Sequence, residues 1–252
     1  MILHSVLMIG QSNMAGRGDL SEAPALDNKN LFVLKNGRWQ PLFRPVCPDR
    51  PFSGVSLAES FAAAYRDKFG VSVGLIPCAD GGSCIDEWQC GSLLFDNAVY
   101  GAQLASRTST IAAVIWHQGE SDCSDKRYPD YKSKLKALIY ALREYPELKD
   151  APFIIGGIGD FLSECVYKPN DFANSAYINA ALRQVTAEVS GCAFADAANL
   201  KSKPDGLHFN TEACLEFGLR YFDAFLSVYD AKRVFEDKPD PVSALRNGLE
   251  KL

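Results

Sequence analysis

Five short apolar runs, each followed by a stretch of helical periodicity, constrain this chain more than any other feature. The runs are 6–9, 71–78, 111–116, 153–158 and 192–195. Each has the length and composition of a buried strand. The stretches 55–69, 94–108, 129–145, 172–189 and 211–229 read as helices. In the first of these, Leu57, Phe61, Tyr65 and Phe69 recur on one face and Gly70 follows as a stop signal. Strands that alternate with helices argue for a parallel sheet covered on both faces. The expectation is an α/β fold: one domain over residues 1–230 with a five-stranded parallel sheet, for which 2-1-3-4-5 is the commoner strand order. The polar tail 231–252, with Pro239 and Pro241, is expected to pack on that domain or extend from it.

Composition narrows the function. The 252 residues suffice for a real core, and the net charge of −5 comes without any block of like charges. Neither a nucleic-acid surface nor an anionic-membrane binder is indicated. No apolar run approaches the ~20 residues needed to span a bilayer. Met1-Ile2-Leu3-His4 has neither a basic n-region nor a small-residue cleavage site. The eight cysteines are scattered, with no C-x-x-C pair. Free thiols and a cytoplasmic location are therefore expected. Residues 17–53 form an irregular excursion with a hairpin pattern around Asn36-Gly37. A functional loop and a surface insertion fit it equally.

In open α/β sheets, ligands bind beyond the carboxyl ends of the strands. Here those ends carry Gly10-Gln11-Ser12-Asn13, Gly81-Gly82-Ser83, His117-Gln118-Gly119-Glu120, and Asp205 with His208. Ser12 falls where a helix begins, as a cap or as a nucleophile. His4 lies within the first strand and reads as structural. Asp205-Gly206-Leu207-His208 is a D-x-x-H turn. Its carboxylate can accept the imidazole Nδ1–H, which frees Nε2 to take a proton from a hydroxyl. Three groups could stabilise an oxyanion: the Ser12 N–H, the N–H of Gly82 (or Gly81), and the Gln118 amide.

Four blocks carry a family resemblance: G-Q-S-N-M at 10–14, G-G-S-C-I-D-E-W at 81–88, W-H-Q-G-E-S-D at 116–122 and D-G-L-H-F at 205–209. Together, in this order, the sequence resembles the SGNH (GDSL-like) hydrolase superfamily. Within it, the sequence is most similar to the sialate O-acetylesterase-like branch, which includes the acetyl xylan esterases of carbohydrate esterase family 6. The resemblance implies a flavodoxin-like three-layer α/β/α sandwich with no cofactor and no metal. It implies Ser12 as nucleophile, His208 as base and Asp205 as its orienting acid, with Ser12, Gly82 and Gln118 forming the oxyanion hole. Gln118 stands where the wider superfamily has Asn, as in this branch. Ser83-Cys84 departs from the Thr that often follows the two glycines. Gln11, Asn13, Gly81, His117 and Glu120 are supporting residues in the same motifs, Glu120 being given a triad role in some such enzymes.

The expected reaction is removal of O-acetyl groups from carbohydrate through an acetyl-enzyme on Ser12. The partner is a small-molecule or oligosaccharide acetyl ester, such as an acetylated xylo-oligosaccharide or sialic acid. Trp88 is a candidate aromatic wall for the sugar, though an aromatic near a site is more often simply core. Two other readings compete. A metal-dependent hydrolase would use His117, Glu120, Asp122, Asp205 and His208. A non-catalytic carbohydrate-binding domain would need only the scaffold.

Overall fold

The computed structural model describes residues 3–165 and 171–230, together with Phe235 and Lys238. The elements run β1 (Leu3–Gly10), α1 (Ser12–Ala15), β2 (Leu31–Lys35), β3 (Arg38–Pro41), α2 (Leu57–Phe69), β4 (Ser72–Pro77), α3 (Leu93–Ser106), β5 (Thr110–His117), α4 (Tyr128–Arg143), β6 (Phe153–Gly156), α5 (Ser175–Glu188), β7 (Cys192–Ala195) and α6 (Thr211–Val228). Short 3₁₀ turns lie at Leu20–Glu22, Ile85–Trp88, Glu120–Asp122 and Asp160–Glu164.

These strands form one sheet in the order β3-β2-β4-β1-β5-β6-β7. The five strands read from apolar runs appear within it as 2-1-3-4-5, all parallel. The five-stranded expectation is corrected to seven. The Asn36-Gly37 hairpin was legible as a hairpin, but its place in the sheet was not. Leu31 to Val33 pair in parallel with Val73 to Leu75, and β3 pairs antiparallel with β2. The edge strand β3 is only half-buried, so its pattern carries little hydrophobic signal.

β1 is buried along its whole length, because it lies at the centre of the sheet with helices on both faces. Alternate side chains feed two cores. Val6 and Met8 pack with Phe61 and Tyr65 of α2 and with Phe217 and Phe225 of α6. Leu7 and Ile9 pack with Trp88, Trp116, Leu135 of α4 and Ile178 of α5. His4 is structural, as expected: its Nδ1 lies 2.8 Å from the Tyr65 hydroxyl and its ring stacks on Phe235 at 3.8 Å. Apart from Phe235 and Lys238, which donates to Ser106 O at 2.9 Å, the expected 231–252 tail lies outside the described residues. All eight cysteines are free, and only Cys90 is exposed.

Local chemistry anchors the helix that backs the Ser12 turn. Ser56 caps α2: its Oγ accepts from Ala58 N at 3.2 Å while Glu59 Oε1 accepts from Ser56 N at 3.2 Å. Gly70 ends the helix in the left-handed conformation. The same Ser56 hydroxyl donates to Met14 O at 2.7 Å, which ties the helix start to α1.

Candidate active site

The site forms where β1, β4, β5 and β7 end. At the end of β1, Gly10 adopts φ +130°, and a Cβ there would meet His117 O at 2.1 Å. Only glycine lets β1 turn this close to β5. Gln11 N then donates to His117 O at 2.9 Å, and the chain enters α1 at Ser12. Ser12 is 6% exposed.

Ser12 Oγ lies 3.1 Å from His208 Nε2, and His208 Nδ1 lies 2.8 Å from Asp205 Oδ2. The D-x-x-H turn brings carboxylate and ring together at the spacing the sequence suggests. Asp205 Oδ1 also accepts from the backbone N–H groups of Leu207 and His208, each at 2.9 Å. Burial alone would push the Asp205 carboxyl up. The bonds from the His208 backbone, the His208 ring and Leu207 outweigh it and hold the carboxyl below its ordinary range. The imidazole is thus fixed by an ionised carboxylate with Nε2 turned to the serine.

The supporting residues are brought together as a second network. Asn13 Oδ1 accepts from Phe209 N at 3.2 Å, and Asn13 Nδ2 donates to Leu207 O at 3.3 Å, so one side chain grips the backbone on both sides of His208. Asn13 Nδ2 also donates to Glu120 Oε1 at 2.6 Å, and His117 Nε2 lies 3.1 Å from the same oxygen. Glu120 is thus bonded to Asn13 and His117, with no bond to His208 among the described residues. Burial pushes the Glu120 carboxyl up, but the adjoining His117 ring and the Asn13 bond bring it below its ordinary value. Gln11 Oε1 accepts from Gln118 Nε2 at 3.2 Å and from Ser121 N at 3.3 Å, which joins the first and third motifs.

The expected oxyanion groups separate in the structure. Gly82 has φ +85°, which explains a glycine where a Cβ would meet nothing. The Gly81 N–H is already donated to Asp49 Oδ2 at 2.8 Å. The N–H groups of Ser12 and Gly82 have no hydrogen-bond partner among the described residues. Gln118 differs from the expectation. It is fully buried, and its amide donates to Asp122 Oδ2 at 2.5 Å, Ser83 O at 3.2 Å and Gln11 Oε1. Its amide hydrogens brace the turn that carries Gly82 instead of facing the serine. Trp88 is also core and not a wall: it is fully buried, donates to Ser83 Oγ at 3.0 Å and meets Trp116 edge-on. That bond gives Ser83, the departure from Thr, a structural role.

The five residues of the metal reading do not converge: His117 pairs with Glu120, Asp205 pairs with His208, and Asp122 accepts from Gln118 and from Ile85 N. Among the described residues no three His, Cys, Asp or Glu side chains form a group that could hold a metal ion. A cavity of about 650 Å³ opens elsewhere, between α2 and α6, around the Arg44–Glu59 pair, and holds none of the Ser–His–Asp residues. Sequence reasoning missed Arg17, Asp49 and Arg50, which reach the Gly81 turn. Nothing in the sequence links positions so far apart, and the charged pair Asp49-Arg50 in a Pro-rich stretch was the sole available hint.

A mostly parallel sheet between two helical layers, with a Ser–His–Asp chain at its carboxyl edge, fits a hydrolase of the SGNH/GDSL-like class. The chain belongs to the carbohydrate esterase, sialic acid-specific acetylesterase family, whose model matches residues 3–227. It is accordingly an ester hydrolase of the carbohydrate O-acetylesterase group. A probable carbohydrate esterase of Arabidopsis thaliana is 30% identical over 245 residues, covering 88% of this chain and 89% of that protein. The X-ray structure of that Arabidopsis protein superposes with a TM-score of 0.79 at 28% identity, covering 90% of this chain and 99% of that one. The fold recurs in a carbohydrate acetylesterase from Xanthomonas citri, with a TM-score of 0.66 at 19% identity. That match covers 90% of this chain and 56% of the other.

Proposed function

We propose that this protein is a serine esterase that removes O-acetyl groups from carbohydrate through an acetyl-enzyme on Ser12. The observation that carries the reading is the continuous chain Ser12 Oγ–His208 Nε2 and His208 Nδ1–Asp205 Oδ2, at 3.1 and 2.8 Å, beside two unpartnered backbone N–H groups. His208 takes the Ser12 proton as Oγ attacks the acetyl carbonyl. The negative charge that develops on the carbonyl oxygen is met by the N–H groups of Ser12 and Gly82. The tetrahedral species collapses when His208 gives its proton to the leaving sugar oxygen. Water then enters by the same route and releases acetate. Family membership and the carbohydrate esterase from Arabidopsis support a sugar as the leaving group. Acetylated xylo-oligosaccharides, sialic acids and similar glycans are the substrates to compare.

The test is p-nitrophenyl acetate hydrolysis by wild type, Ser12→Ala and His208→Ala, with and without EDTA. Both variants are expected to lose about 10³-fold or more in kcat, with EDTA without effect. Full activity in Ser12→Ala would overturn the reading.

A further inference from the structure

Residues 47–53 end the long excursion that the mechanism leaves unassigned, and they fold back onto the glycine turn. Two consecutive side chains there grip one residue from both sides. Gly81 N–H donates to Asp49 Oδ2 at 2.8 Å, and Arg50 Nη2 donates to Gly81 O at 2.9 Å. Both grips are themselves fixed. Asp49 accepts two bonds from Arg17, at 2.9 and 2.7 Å, and one from Ser53 Oγ at 2.6 Å. Arg50 Nη1 donates to Asp80 Oδ1 at 2.9 Å. A Cβ on Gly81 would lie 2.4 Å from Arg17 Nη2 and 2.7 Å from Asp49 Oδ2, so only glycine admits this contact.

The Gly81 carbonyl and the Gly82 N–H belong to the same peptide group. In a planar trans peptide they point in opposite directions. A bond that holds the carbonyl on one side therefore holds the N–H on the other. A peptide between two glycines has little steric resistance to rotating as a unit. If it rotated, it would present a carbonyl oxygen where the oxyanion needs a donor.

We propose that Arg50 and Asp49 are positioning residues of the oxyanion site: Arg50 fixes the Gly81–Gly82 peptide so that the Gly82 N–H faces the reacting carbonyl, and Asp49 holds the preceding peptide through the Gly81 N–H. The inference deepens the acetylesterase reading and rests on it. Arg17 is the buried partner that keeps Asp49 in place.

The test compares p-nitrophenyl acetate with its thionoacetate analogue, in which sulfur replaces the carbonyl oxygen and accepts hydrogen bonds poorly. Arg50→Ala is expected to lower kcat on the oxygen ester about tenfold, with KM little changed. The thiono ester should lose much less, so the oxygen-to-sulfur rate ratio shrinks several-fold. Added guanidinium should restore part of the loss, and Arg50→Lys should fall between the two. The rate ratio does not depend on the fraction of folded enzyme, so a destabilised variant still gives a reading. An unchanged ratio in Arg50→Ala would overturn the inference. Ser12→Ala, run alongside, separates the two ideas: retained hydrolysis there removes the serine mechanism itself.

Discussion

Asn13 shows how much one side chain can hold together beside Ser12. It follows Ser12 directly, and it holds the backbone of Leu207 and Phe209 on either side of His208. Ser12 and His208 come from chain segments nearly two hundred residues apart, and Asn13 ties those segments together. Glu120 in turn holds Asn13 through a charge-assisted bond of 2.6 Å. If Glu120 works through Asn13, the two substitutions are not additive. Asn13→Ala is expected to lower kcat by about ten- to a hundredfold, by misplacing His208. Adding Glu120→Ala should cost little more, giving a coupling energy of about 0.5–3 kcal/mol in a double-mutant cycle. Additive losses would show that Glu120 acts on the reaction independently. The motif residues were readable as a set, but their division of labour was not. A sequence places Glu120 near a histidine, His117, and gives no sign that its proton-bearing partner is an asparagine in another motif. Gln118 was misplaced for the same reason. An amide after a strand reads as a free donor, and only the packed structure shows Asp122, Ser83 and Gln11 claiming its hydrogens.

Among the elements, α2 links stability to the site. Its cap residue Ser56 uses one hydroxyl twice, accepting from the helix start and donating to Met14 O in α1. Ser56→Ala is expected to destabilise the protein by about 1–2 kcal/mol in urea unfolding, with an unchanged m-value. A shift well under 0.5 kcal/mol would mean that the cap and the tether are replaced by other contacts. The elements whose pattern is strong were legible. The helix over 55–69 appears at Leu57–Phe69, and the strand over 192–195 at Cys192–Ala195. Period and stop signals decide such segments locally. The hairpin β2–β3 was legible only as a local turn. Its docking against β4 is set by backbone pairing at the sheet edge, a contact over some forty residues that no local pattern encodes.

At the scale of the whole molecule, the sheet explains why the chemistry gathers at one edge. Parallel strands all end on the same side, so the segments after β1, β4, β5 and β7 meet there. The two cores on either side of β1 keep those ends in register. The excursion between β1 and α2 then serves two ends: its hairpin widens the sheet, and its last residues reach back to Gly81. The central claim is that Ser12 forms the covalent intermediate. The most direct measurement is peptide mapping by mass spectrometry after inactivation with a fluorophosphonate ester, which mimics the tetrahedral species. The serine mechanism predicts one adduct per chain, on the peptide that contains Ser12, and none in His208→Ala over the same interval. An adduct on Ser83 or Ser121 with Ser12 unmodified, or loss of activity with no adduct, would contradict it.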